Sequence, residues 1–254
     1  MWNDRKQRNR RLARAEKAVT KVEQGSRILG RVLPAAVRLW LRSQLDQIEN
    51  LTLNLQGSDR QVLSGCIPGV SLAAEQSVYK GIHLSKVNVA AEDISINLGQ
   101  VLRGKPLRLV KAFPVRGAVE ISEDGLNASL AATLLSEGIE RFWQSLLQRP
   151  EVAAEVEDYY GTAALQSHAP LTQARLTAPF LTLINGDKQL RAGLTVKQGR
   201  HLVLNQPTWL VSAQDRPSHA LKGFAWDLGS EAQIHQLTIV SKRLLCAGQI
   251  EVRP

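Results

Sequence analysis

Apolar and polar residues alternate with period two along much of this chain, and the alternation is interrupted once by a block with helical spacing. Leu51, Leu53 and Leu55 alternate with Thr52, Asn54 and Gln56, and Gly57-Ser58-Asp59 ends the run. Val70, Leu72 and Ala74 resume it, followed by Ile82 and Leu84, then Val87, Val89 and Ala91, then Ile94, Ile96 and Leu98, and finally Val115, Val119 and Ile121. Such alternation predicts half-buried strands. The inward parity switches between Leu84 and Val87, which predicts a bulge or tight bend near Ser85-Lys86. A short helical turn is expected over 60–64, closed by Gly65.

Helical spacing appears on either side of this meander. Val37, Leu41, Leu45 and Ile48 recur at i, i+4, i+8 and i+11 behind Pro34, predicting an amphipathic helix over 34–48 and a shorter one before it at 26–33. Asp124 and Ser136 are placed to cap helices over 125–131 and 137–149. In the second, Ile139, Phe142, Trp143, Leu146 and Leu147 share one face. Residues 151–169, acidic and then small and polar, read as a surface excursion. Period two returns in 176–184, 190–196, 202–204, 209–211, 234–240 and 244–252, with Asn185-Gly186-Asp187 and Gln198-Gly199 as hairpin turns. Helix, meander, helices, meander is an α+β order. Consecutive hairpins imply antiparallel pairing, and regular strand–helix alternation of the parallel doubly wound kind is missing.

Composition sharpens this picture mainly through charge. The net charge is +9 over 254 residues, and residues 1–42 hold twelve Lys and Arg against three acids, so the remainder is balanced. The expected organisation is therefore a basic tail over 1–25, flexible or conditionally helical, and one domain over 26–254. Near an anionic bilayer each basic residue contributes about 1 kcal/mol. Trp2, Arg5, Lys6, Arg8, Arg10, Arg11 and Arg14 are accordingly candidate membrane contacts. Nucleic acid would use the same charges, but residues 3–25 contain no aromatic for base stacking. No apolar run approaches the roughly 18 residues of a membrane span, and no signal-peptide apolar region follows the basic start. Cys66 and Cys246 are too few and too far apart for a disulfide framework, so two free thiols are expected.

Catalytic signatures are missing. The five histidines form no metal-like pair, there is no CxxC, and no nucleophile elbow or phosphate-binding glycine loop occurs. No catalytic residue, metal or cofactor is assigned. The one cation cluster in the domain is Arg103-Gly104-Lys105-Pro106-Leu107-Arg108, a turn suited to receiving a phosphate or lipid head group; Arg103, Lys105 and Arg108 are the candidates.

Four segments, in order, resemble a known family. They are Gln61-Val62-Leu63-Ser64-Gly65; Val78-Tyr79-Lys80-Gly81-Ile82-His83-Leu84; Ile96-Asn97-Leu98-Gly99 with Val101-Leu102-Arg103-Gly104-Lys105-Pro106-Leu107-Arg108-Leu109; and Glu123-Asp124-Gly125-Leu126-Asn127-Ala128-Ser129-Leu130. Together they are similar to the LmeA-like phospholipid-binding family, in the form common in photosynthetic bacteria, over roughly 27–254. The resemblance implies a tubular lipid-binding type of fold, in which a curved antiparallel sheet wraps a long amphipathic helix and leaves an apolar groove for acyl chains. It also implies non-enzymatic binding of phospholipid or glycolipid, used for transfer or sensing. The basic start places this expectation at the cytoplasmic face of a plasma or thylakoid membrane. The competing expectation is an interaction or scaffold protein whose tail docks an acidic protein or RNA, built on a filled domain without a cavity.

Overall fold

A computed structural model describes residues 33–166, 170–212 and 214–254. The basic tail, its candidate membrane contacts and the short helix expected before residue 33 lie outside the described residues. Helix α1 (Leu33–Gln44) leads into β1 (Gln47–Gln56), α2 (Asp59–Leu63), β2 (Cys66–Tyr79), β3 (Ile82–Ser95), α3 (Leu98–Val101) and β4 (Phe113–Ser122). A helical block follows: α4 (Glu123–Ala128), α5 (Thr133–Leu147), α6 (Pro150–Tyr160) and α7 (Thr162–Gln166). The chain ends in β5 (Gln173–Thr177), β6 (Phe180–Asn185), β7 (Lys188–Lys197), β8 (His201–Val211), β9 (Gln214–Pro217), β10 (Ala225–Asp227), β11 (Ala232–Val240) and β12 (Arg243–Val252).

The antiparallel strands form two sheets rather than one. Sheet I has the order β1-β2-β3-β4-β12-β11, so the last hairpin of the chain returns to pair with the first meander. Sheet II has the order β10-β8-β7-β6-β5, with β9 beside β8. Strand β11 joins the two layers, because Ile239 shares a buried cluster with Ala174 and Leu176 of β5. Among the described residues the longest helix is α5, of 15 residues, so the sheets curve around short helices rather than one long one.

Several local expectations shift. The helix expected over 34–48 stops at Gln44, because Asp46 N–H already donates to Val78 O at 2.9 Å and Ile48 belongs to β1. The turn near 60 forms as α2, with Ser58 and Gln61 making a reciprocal capping box. Behind it Gly65 sits at φ +83°, where a Cβ would lie 2.9 Å from Ile96 O. Ile96 and Leu98 do not extend a strand of their own: Ile96 makes one bridge to Leu109, and Leu98 opens α3. Ser122, not Asp124, caps α4, accepting from Gly125 N–H. Helix α5 begins at Thr133, ahead of Ser136. Pro179 breaks the run 176–184 into β5 and β6, whereas the runs 202–204 and 209–211 merge into β8.

The largest departure is at 150–160. This segment is not a surface excursion but helix α6, with Pro150 in its first turn and Val152 and Val156 fully buried at i and i+4. They join Leu146, Trp209 and Leu221 in the principal core, which α5 and α6 build against sheet II. A second core lies under sheet I, around Val37, Val62, Ile67, Leu98 and Phe113. Both cysteines are free.

Candidate functional site

Residues opposite each other in an antiparallel ladder share a face, and the register of sheet I aligns its apolar residues in rungs. One rung runs Leu53, Leu72, Val89, Gly117, Gly248 and Ile234 across all six strands. The next runs Ala74, Val87, Val119, Cys246 and Leu237. The opposite face is polar or small, with Asn88, Ala90, Arg116 and Ala118 exposed. Apart from Ala74, which is buried, the apolar residues of these rungs are only partly buried. Apolar sheet faces left partly open to solvent are a common form of interaction surface.

The curvature of this face has an identifiable source. Gly117 and Gly248 face each other on β4 and β12. A Cβ on Gly117 would lie 2.1 Å from Asn88 O, and one on Gly248 would lie 2.3 Å from Gln233 O. Only glycine lets the neighbouring strands approach this closely, and paired glycines at mid-sheet are a means of bending a sheet.

Two apolar cavities lie toward opposite ends of β12 on this face. The first, of about 140 Å³, lies between α1 (Val37, Trp40, Leu41), the inner face of sheet I and Leu107 and Leu109. The second, of about 250 Å³, lies between α5 and sheet II, with Leu244 of β12 at its edge. Val252 lines the first cavity and Leu244 the second, and β12 keeps unbroken register against β4 between them. At the usual strand rise that separation is about 27 Å. One leaflet of a bilayer has half of the roughly 30 Å hydrocarbon thickness, so a chain from one leaflet fits lengthwise along the trough. Burial raises the pKa of the Cys246 thiol on this face, as a low-polarity environment requires.

Arg103, Lys105 and Arg108 are all exposed and belong to the connection from α3 to β4. Asn97 shapes that connection. Its Oδ1 accepts from Arg108 N–H at 2.7 Å, and its Nδ2 donates to Pro106 O at 3.1 Å. Arg108 therefore stands between Leu107 and Leu109, which point into the first cavity. Leu102 and Val110 on the same connection are 51% and 61% exposed. Leu63 on α2, which packs beside α3, is exposed as well. The cavity's end thus carries apolar tips interleaved with cations. This combination was only half legible beforehand, since exposure of the Leu and Val tips is a property of the fold.

A family model described as LmeA-like phospholipid-binding matches residues 25–249. The chain belongs to the LmeA-like phospholipid-binding family. Searches of curated proteins and of solved structures found no significant match. The description of the family is one of phospholipid binding. Among the described residues no helix is long and apolar enough to cross a membrane, and no cluster of His, Cys, Asp and Glu is arranged to hold a metal ion.

The motif block Glu123–Leu130 acts in this LmeA-like chain as the joint between the sheets. Asn127 Nδ2 donates to Ala174 O, and Asn127 Oδ1 accepts from Ala174 N–H, both at 2.8 Å. Glu123 Oε2 accepts from Leu176 N–H at 2.7 Å. These side chains satisfy the outward backbone groups of β5, an edge strand of sheet II. On the other side Ser129 Oγ accepts from His83 N–H of β3 at 2.8 Å. Gly125 lies close enough to β3 that a Cβ would be 3.1 Å from His83 O. The glycine inside this block thus serves close approach, and the joint holds the second cavity against the end of sheet I.

Proposed function

We propose that this protein binds phospholipid non-enzymatically at an anionic membrane surface and carries or senses it there, with acyl chains lying in the trough of sheet I. The observation that carries this reading is the partly buried apolar face with apolar cavities toward opposite ends of β12, in a member of a phospholipid-binding family. Arg103, Lys105 and Arg108 receive the phosphate of the head group, or of the membrane from which the lipid is drawn. Leu63, Leu102 and Val110 enter the interfacial zone beside them. The basic tail, with Trp2, Arg5, Lys6, Arg8, Arg10, Arg11 and Arg14, adds attraction to the same surface, and the protein is peripheral on the cytoplasmic face. Tail and lipid-binding domain (1–25 and 26–254) divide the work between location and cargo. The scaffold alternative rests on a filled interior, and apolar cavities count against it.

The test is flotation with vesicles containing phosphatidylglycerol. At about 1 kcal/mol per basic residue, replacing Arg103, Lys105 and Arg108 together by Ala weakens binding roughly a hundredfold and leaves thermal stability unchanged. Binding that is insensitive to the triple replacement, or equal on zwitterionic vesicles, removes these residues from the account.

A further inference from the structure

A third cavity, of about 410 Å³, opens beside the chamber under α5 and shares Leu130, Ile139 and Leu171 with it. Unlike the chamber, it has polar walls. Trp143 and Lys188 both line it and are only 6% and 4% exposed. The indole N–H of Trp143 is buried and has no hydrogen-bond partner among the described residues. Its neighbour Trp209, stacked at 6.2 Å, shows the ordinary arrangement: its Nε1–H donates to Glu155 at 3.1 Å. A buried indole N–H normally finds an acceptor. Lys188 Nζ donates to Ala164 O at 2.8 Å, and burial lowers its pKa from the ordinary lysine value. The exposed acid on this cavity's wall, Glu140, is held by Gln144 Nε2 at 3.1 Å. The lining of this cavity thus combines polar side chains with a buried donor and a buried cation, and the adjoining chamber is lined by aliphatic and aromatic side chains.

We propose that chamber and vestibule form one site for a single-chain amphiphile with an anionic, hydrogen-bond-accepting head. The chain fills the chamber under α5. A head-group oxygen accepts from Trp143 Nε1–H in the field of Lys188. The proposal rests on the lipid-binding reading above and adds to it a second, separate subsite with its own ligand class. Size favours one chain: a cavity of roughly 150 Å³ accommodates benzene, so the chamber of about 250 Å³ holds about ten carbons, with the rest of the chain leading out through the vestibule. A carboxylate and a phosphate both satisfy this chemistry, so a fatty acid and a lysophospholipid are the two sources.

Isothermal titration of the delipidated full chain with dodecanoic acid, lauroyl lysophosphatidylglycerol and dodecylammonium separates them. The ammonium has the same chain but a head that only donates. The acid or the lysolipid binds roughly tenfold or more tighter than the ammonium, and whichever is tighter identifies the source. Trp143→Phe, which keeps an aromatic ring against Trp209, costs the tighter ligand about tenfold. Equal binding of the anionic and ammonium ligands in the wild-type chain overturns the anchor without any variant, as does a Trp143→Phe chain, folded by circular dichroism, with affinity within twofold of wild type. If none of the three binds while diacyl phospholipid still copurifies, the subsite is wrong and the trough reading stands. If no lipid of any kind binds, both fall.

Discussion

Replacing Asn127 with Ala tests whether one side chain closes the edge of sheet II. Asn127 makes three hydrogen bonds at 2.8 Å, two to the backbone of Ala174 and one to Glu123 O. Ala174 is fully buried, so water does not replace the lost partner. Each buried backbone group left unpaired costs about 1–3 kcal/mol, and two groups give roughly 2–6 kcal/mol. For a domain of this size each kcal/mol lowers the melting temperature by about 2–4 °C, so a fall of roughly 4–24 °C is expected by circular dichroism or scanning calorimetry. Asn127→Asp does not rescue it, because the carboxylate keeps an acceptor for Ala174 N–H but sets an oxygen against Ala174 O. A fall below 2 °C for Asn127→Ala would refute the reasoning, since β5 would then have no need of the joint.

Three further outcomes follow from named contacts. Gly117→Ala places a methyl 2.1 Å from Asn88 O and costs about 1–3 kcal/mol or more through overpacking, whereas Gly99→Ala, with nothing within 4 Å, is neutral; equal melting temperatures would remove Gly117 as the source of curvature. Glu155 accepts from Trp209 Nε1–H, Ser218 Oγ–H and the N–H groups of His219 and Ala220; since hydrogen bonds to a charged group contribute about 1.5–3 kcal/mol each, loss of the two from the buried Trp209 and Ser218 alone should make Glu155→Ala cost roughly 3–6 kcal/mol by chemical denaturation, and a change under 1 kcal/mol would sink this. Lys188 has a folded-state pKa lowered by burial, so the unfolded chain binds its proton more tightly and stability rises with pH in the window below the ordinary value of 10.5. The stability of Lys188→Met relative to wild type therefore shrinks as pH rises through that window, and a pH-independent difference would contradict the assigned environment.

The strands were legible because each half-buried strand writes its own period of two, and the capping box of Ser58 and Gln61 is likewise a local signal. Helix α6 was hidden because its inward residues, Val152, Val156, Tyr159 and Tyr160, stand among Glu151, Glu155, Glu157 and Asp158 in an acidic stretch. Its burial is decided by Trp209, far along the chain. The division into two sheets was illegible for a related reason: β12 pairs with β4 rather than with its sequence neighbours before β11. The motif around Asn127 was visible as a pattern, but its work is done on Ala174 and Leu176, and such long-range bonds from side chain to backbone leave no periodicity. Trp143 was correctly placed on the apolar face of α5. That its N–H lacks an acceptor among the described residues is a fact of three-dimensional packing alone.

The central claim is that the open apolar face of sheet I holds lipid, and the direct measurement is mass spectrometry of lipid extracted from the chain purified under native conditions. The account predicts phospholipid in near-stoichiometric amount. It also predicts that Val89→Lys, which charges the middle of the trough at a half-exposed position, strips most of it while the chain stays folded. A lipid-free wild-type chain that also takes up none from phosphatidylglycerol vesicles, or a Val89→Lys chain with undiminished lipid, would contradict it.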